Sequence, residues 1–360
     1  MIVRMAANSD REVARLLDRG HGVRIAYRVT PAQVRTRLHS PDGVLVLLHG
    51  LASNLTRWSE FVATTRLVER WDVIRVDLRG HGDSMTRRAI GLDRWCEDLT
   101  AICDAEGHAQ AVLVGHSLGA QVAMHAAATR PERVRALALI DPVFGAALHG
   151  HWARIARLRP LFAASAAVVR ACNSIGLHRG ALPPLDLRTL DEEARRALGS
   201  PAAEAEFVRR YSSTWADLRH VPLAVYLQDL VELFRDAPPP ATISCPVLAL
   251  LSRGGTFADP VETAEIARGF RHVHEVEIAC QHWPLTERPD EVRGAIERWC
   301  DSLASGEPWR SRSGLECEDR RPRPFDERGG TGDDDRNPDL PIGDRFAEAD
   351  VHDRTVRTQR

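Results

Sequence analysis

Ala111-Val112-Leu113-Val114-Gly115-His116-Ser117-Leu118-Gly119-Ala120 decides the fold. An apolar run stops at a glycine. One residue on comes a serine, then a second glycine, then a helix-forming run over 120–129. Strand, Gly-x-Ser-x-Gly turn and helix, in that order, describe a nucleophile elbow. The spacing has a steric cause. For the Ser117 hydroxyl to project from the top of a sheet, the turn must bring the residues two before and two after it face to face. A side chain at either place would clash, and glycine also tolerates the unusual dihedrals. The helix that follows aims its first N–H groups at the site, where they favour developing negative charge.

Outward from this stretch the chain alternates between strand-like and helix-like segments. Residues 44–48 are a continuous apolar run, as expected of a strand covered on both faces, and end at His49-Gly50-Leu51. Residues 71–76 form a second such strand, leading into Asp77-Leu78-Arg79-Gly80-His81-Gly82-Asp83-Ser84. Helices are expected over 57–69 and 92–107. After the elbow, 134–140 is a further strand, running into Asp141-Pro142. Alternation of this kind argues for an α/β fold with a doubly wound, mostly parallel sheet. Functional loops in such a sheet collect at the carboxyl ends of the strands, where all three special loops lie. Near the N-terminus, residues 1–20 read as a short helix, with Val13, Leu16 and Leu17 on one face and Gly20 after them. Residues 24–29 alternate at period two, as a half-buried strand does.

From 143 to 240 the rhythm breaks into helix-like segments (151–159, 161–175, 190–198, 202–213 and 223–234) punctuated by Pro183-Pro184 and Pro238-Pro239-Pro240. This reads as a helical cap inserted into a core made of 1–142 and 241–303. The sheet resumes at 247–251, followed by a helix over 261–269, a strand over 273–278 and a closing helix over 288–303. From 304 to 360 the chain is rich in Arg, Asp, Glu, Gly and Pro, with few large apolar residues, and is expected to be disordered.

Composition narrows the class. The hydrophobic share of 44% suffices for a sizeable core, and a net charge of −2 gives no overall field for nucleic acid or an anionic membrane. All 48 basic residues are Arg. No uncharged apolar run is long enough to span a membrane, and the N-terminal residues lack a signal-peptide core, so the expected location is cytoplasmic. The cysteines, Cys96, Cys103, Cys172, Cys245, Cys280, Cys300 and Cys317, are odd in number and scattered, which argues against a disulfide framework or a zinc site. Reduced, mostly buried thiols are expected.

The elbow, the His49-Gly50 loop, the 77–84 segment and a late histidine, His282, occur in the order found in the α/β-hydrolase superfamily. Over about 22–303 the chain resembles that superfamily's capped branch, the esterase- and thioesterase-like serine hydrolases. The resemblance implies Ser117 as nucleophile and His282, in His282-Trp283-Pro284-Leu285, as the base that activates it. Gln281 stands where the family has glycine. Backbone N–H groups of Leu51 and Leu118 are the implied oxyanion hole. His49, His116 and Trp58 are expected beside the substrate, and His81 is not expected to be catalytic.

The acid departs from the family's pattern. Its usual loop reads Ser252-Arg253-Gly254-Gly255-Thr256-Phe257-Ala258-Asp259-Pro260, which places Thr256 at the acid position and Asp259 about three residues late. Some branches carry the acid at the end of the strand after the elbow helix, which here is Asp141. Asp141 is preferred and Asp259 kept as the alternative; the task in either case is to hold the imidazole tautomer and stabilise imidazolium.

The reading implied is a hydrolase that needs no cofactor or metal, acting on a small-molecule carboxylic ester or thioester through an acyl-enzyme on Ser117. The same site could serve carbon–carbon bond hydrolysis or perhydrolase/haloperoxidase chemistry. A weakened triad would instead make the chain a non-catalytic ligand-binding relative. Natural substrate and oligomeric state stay open.

Overall fold

The computed structural model describes residues 11–34, 41–198 and 200–306. Eight strands, β1 (Val13–Asp18), β2 (Arg24–Thr30), β3 (Gly43–Leu48), β4 (Trp71–Val76), β5 (Ala111–His116), β6 (Val134–Ile140), β7 (Val247–Ser252) and β8 (Val273–Ile278), form one sheet. Their spatial order is β1-β2-β4-β3-β5-β6-β7-β8. Strands β3 to β8 are mutually parallel; β2 runs antiparallel to β4, and β1 to β2. In register, Leu48 lies opposite both Val76 and Gly115, and Gly115 opposite Leu139. The loops after β3, β4, β5 and β6 therefore leave the sheet at one edge, where the site is built.

Both faces of the sheet are covered, and the apolar runs divide between them residue by residue. Val44, Val46, Leu48 and Leu113 pack with Trp95, Leu99 and Ile102 of α2 (Leu92–Ala105) and with α3 (Leu118–Thr129). Leu45, Leu47, Val112 and Val114 pack on the opposite face with Trp58, with Phe61 of the short α1 (Ser59–Thr64), and with Ile296 and Trp299. This two-sided burial is why the strands read as unbroken apolar runs.

Among the described residues, six helices lie between β6 and β7: α4 (Gly150–Ala156), α5 (Arg159–Ser174), α6 (Leu187–Ala197), α7 (Pro201–Tyr211), α8 (Thr214–His220) and α9 (Leu223–Leu233). After β7 come α10 (Pro260–Ala267), α11 (Pro284–Glu287) and α12 (Pro289–Ser305). No helix among the described residues is long and apolar enough to cross a membrane. Cys96, Cys103, Cys280 and Cys300 are buried free thiols, Cys172 and Cys245 partly buried ones; Cys317 lies outside the described residues.

Three expectations need correction. Residues 13–18 form an edge strand, not a helix, because Gly20-His21-Gly22, all at positive φ, turn the chain back so that Val13 to Asp18 pair with Arg24 to Val29. The helix expected over 57–69 breaks into a 3-10 turn (Leu55–Trp58), α1 and a second 3-10 turn (Arg66–Glu69). Thr65 makes the break: its backbone is extended and its Oγ1 accepts from Leu67 N–H. The segment Thr214–His220, not expected as a helix, is α8, with Ser213 Oγ accepting from Ala216 N–H at its start. Residues 1–10 and, beyond Gly306, the expected tail lie outside the described residues.

Candidate active site

Ser117 sits between β5 and α3 at φ 54°, ψ −113°, in the left-handed half of backbone space. The elbow's tightness is measurable. A Cβ on Gly115 would stand 2.3 Å from the Gly119 carbonyl oxygen, and one on Gly119 would stand 2.5 Å from the Leu48 carbonyl oxygen. Moving the first atom aside would shift the start of α3 and moving the second would shift the end of β3, so both glycines are fixed by close packing. Ser117 N–H donates to Ile140 O at 3.0 Å, tying the turn to the end of β6.

That strand end carries Asp141, also at positive φ (45°). Its N–H donates to Leu250 O at 2.8 Å, and its Oδ1 accepts from Ser252 N–H at 3.2 Å and from Ser252 Oγ–H. Its Oδ2 faces His282 Nδ1. On the other side of the ring, His282 Nε2 lies 3.0 Å from Ser117 Oγ. Burial alone would raise the Asp141 carboxyl, but the facing imidazole and the Ser252 donors overcome it and hold the carboxyl below the usual carboxylate value.

Asp259 is not part of this arrangement. It caps α10, its Oδ1 accepting from Val261 N–H at 2.9 Å and Glu262 N–H at 3.0 Å. Thr256 at the usual acid position donates instead to Gln281 Oε1 at 2.9 Å. Gly254 makes room for the same amide: a Cβ there would meet Gln281 Oε1 at 2.4 Å. The Gln281 departure and the Thr256 departure are thus one feature, a side-chain brace between the β7 and β8 loops. Gln281 N–H and Trp283 N–H both donate to Glu287, which pins the loop on either side of His282. Phe257 lies edge-on to the imidazole, with ring centroids 4.5 Å apart.

Leu118 opens α3 directly after Ser117, and Leu51 lines the cavity with Ser117. Ala52, at φ 49°, gives the Leu51 loop its turn. His116 reaches the site as expected. Its Nε2–H donates to His282 O at 2.9 Å, and burial followed by the charge of His282 pushes its pKa down to about 3, so it stays neutral.

Two expected pocket residues are elsewhere. His49 is fully buried beneath the loop, accepting from Leu78 N–H at 3.0 Å and donating to Gly50 O at 2.8 Å, with burial holding its pKa well below the ordinary value. Trp58 belongs to the core on the far face of the sheet. Both are near the site in sequence but are directed inward by packing. His81 Nε2 pairs at 2.8 Å with Asp229 of α9, both fully buried.

A cavity of about 320 Å³ opens over Ser117. The sheet side contributes Leu51 and Ala52; the helices between β6 and β7 contribute most of the apolar wall, including Trp152, Leu190, Tyr226 and Leu230. Arg57 reaches its edge in a buried pair with Asp191 of α6 (2.5 Å), which also accepts from Tyr211 Oη–H at 2.8 Å, while Arg57 donates to Thr286 Oγ1 at 2.8 Å. Sequence reasoning missed this Arg57 cluster and Ser252. No periodicity marks them, and only the fold brings residues 57, 191, 211 and 286 together. No group of three or more His, Cys, Asp or Glu side chains suited to a metal occurs among the described residues.

Comparison with known proteins agrees with this fold. The profile described as the alpha/beta hydrolase fold matches residues 43–289. The chain is 47% identical over 66 residues to lipase LipV of Mycobacterium tuberculosis, covering 18% of this chain and 25% of that protein. It is 26% identical over 265 residues to the sn-1-specific diacylglycerol lipase ABHD11 of Mus musculus, covering 70% and 79% respectively. Its matches to the first curated relatives span 25–37% of their length. Among solved structures, a thermophilic esterase from Thermogutta terrifontis superposes with a TM-score of 0.58 at 20% identity, over 81% of this chain and 99% of that one. With the profile spanning more than half of the sequence, the chain belongs to the α/β-hydrolase fold family.

Proposed function

We propose that the protein is a serine hydrolase of a carboxylic ester or thioester, working through an acyl-enzyme on Ser117 without a cofactor. The observation that carries this is the line Ser117 Oγ, His282, Asp141, with 3.0 Å between hydroxyl and imidazole and the carboxylate on the ring's other nitrogen. His282 Nε2 takes the Ser117 proton as Oγ attacks the substrate carbonyl. Asp141 fixes the tautomer and stabilises the imidazolium that forms. Leu51 and Leu118 N–H groups donate to the developing oxyanion, each worth about 3 kcal/mol by analogy with such donors elsewhere. His282 then protonates the leaving alcohol or thiol. Water, deprotonated by the same imidazole, releases the acid and regenerates Ser117.

The helices from 143 to 240 act as a cap, and their apolar wall favours an acyl chain or an apolar alcohol. A fluorophosphonate probe tests the reading. Labelling of the wild-type protein that disappears in Ser117→Ala supports it; folded wild-type protein that takes no label rejects it.

A further inference from the structure

We propose that α5 and the turn after it form a docking face for an anionic lipid surface. The helix packs on α9 through one side, with Phe162 against Phe234 at the end of α9, ring centroids 6.5 Å apart and tilted by 30°. Its other side is apolar and open. Leu158 is 46% exposed, Leu161 59%, Val168 62%, Ile175 74% and Leu177 65%. Leu161, Val168 and Ile175 are seven residues apart and so share a face, along a helix about 24 Å long at 1.5 Å per residue. Alanines 164 and 171 fill the intervening positions of that face.

The charge along this stretch of chain has one sign. Between Asp141 and Asp186 the sequence holds Arg154, Arg157, Arg159, Arg170 and Arg179 and no Asp or Glu. Arg159 and Arg170 turn inward, to Val231 O and Gln228 Oε1. Arg154 and Arg157 at one end, with Arg179 and Arg87 at the other, are exposed and pair with no carboxylate among the described residues. Arg87 donates to Arg179 O at 2.9 Å, so those two stand together. On α9, the acids behind α5 are occupied and buried: Asp229 by His81 and Glu232 by Arg235.

An open apolar stripe with unpaired arginines at both ends matches an interface whose acyl region is flanked by anionic headgroups. A second copy of this chain fits less well, because a two-fold contact through this face would set like charges against each other. The face is also linked to the cavity. Arg179 donates to Leu218 O of α8 at 2.6 Å. That helix carries Trp215, 82% exposed, together with Ala216 and Asp217 of the cavity wall. Docking would therefore set the cavity near the lipid, and the acyl substrate would be drawn from it. That last step rests on the proposed hydrolysis, whereas docking does not.

Sedimentation of the full chain with phosphatidylcholine vesicles, with and without roughly one-third phosphatidylglycerol, tests the proposal. The expected result is partition onto the anionic vesicles that weakens as salt is raised. Val168→Asp and Ile175→Asp should each lower it at least about tenfold. Arg154→Gln with Arg157→Gln should lower it roughly 25-fold, about fivefold for each arginine. Both sets should hydrolyse a soluble short-chain ester at the wild-type rate. Absence of wild-type partition, or variants that partition like wild type, overturns the proposal. So does a wild-type dimer that Val168→Asp converts to a monomer, which would assign the face to a second copy.

Discussion

Replacing Asp141 by Asn is the most informative change to this site. The position has φ 45°, which asparagine tolerates nearly as well as aspartate, so the backbone can stay in place. The amide oxygen can keep the hydrogen bonds from Ser252 N–H and Oγ–H. The NH2 group then faces His282 Nδ1, where the carboxylate stood. A donor there forces the ring to accept at Nδ1 and to carry its proton on Nε2, the nitrogen 3.0 Å from Ser117 Oγ. The imidazole can no longer take the hydroxyl proton, and the imidazolium loses its counter-charge. Such an inversion costs about 10⁴ in kcat where a triad of this geometry operates, or roughly 5.4 kcal/mol at 1.36 kcal/mol per decade. Asp259→Asn should change kcat by less than about twofold, because asparagine also serves as an N-cap. Steady-state hydrolysis of a short aryl ester, with circular dichroism to verify folding, gives the comparison. A kcat for Asp141→Asn within tenfold of wild type, or a larger loss in Asp259→Asn, would refute the reasoning.

Other outcomes follow from neighbouring features. Gly119→Ala drives a Cβ against two backbone carbonyls and displaces Leu118 N–H; about 1–3 kcal/mol of stability and at least 100-fold in kcat should be lost, read by thermal melts and ester turnover. Arg57→Met leaves Asp191 buried without its partner and should cost about 3–5 kcal/mol in urea unfolding, with Asp191→Asn recovering much of that in the double variant. The Asp217 carboxyl is pushed up to about 7, first by burial and then by the charge of Asp229. Below about pH 4 both folded and unfolded chains hold its proton; between about 4 and 7 only the unfolded chain has released it, so the fold loses stability across that window and no more above it. Asp217→Asn should therefore raise Tm relative to wild type by roughly 2–4 °C at pH 8 but hardly at pH 4.

The central strands and the elbow were legible because their signals are local. Val44 to Leu48 and Ala111 to Val114 are buried on both sides, which demands unbroken apolar runs, and Gly115 is fixed by Gly119 four residues on, whereas the contact that fixes Gly119 is with the end of β3. Strand β1 was not legible. Val13, Leu16 and Leu17 satisfy a helical pattern, and the deciding fact is the pairing with β2 beyond the 20–22 turn. Helix α8 had a signal, Ser213 as N-cap, but only seven residues after it. The choice between Asp141 and Asp259 depends on which strand end faces the histidine. That depends on β6 lying next to β7, so that Ser252 holds the carboxylate, and neighbour order is not written in either segment alone. His49 and Trp58 lie apart from the cavity despite their nearness along the chain to Leu51, because the cavity walls come largely from residues 143–234.

That division of labour has an evolutionary corollary. Under the proposed mechanism the reacting groups stand after the ends of β5, β6 and β8, whereas the surfaces that would judge a substrate's size and shape belong mainly to the stretch between β6 and β7. Recombination that exchanges this one stretch, entering after Asp141 and leaving before Val247, could retarget the protein to a different substrate while leaving Ser117, His282 and Asp141 in register.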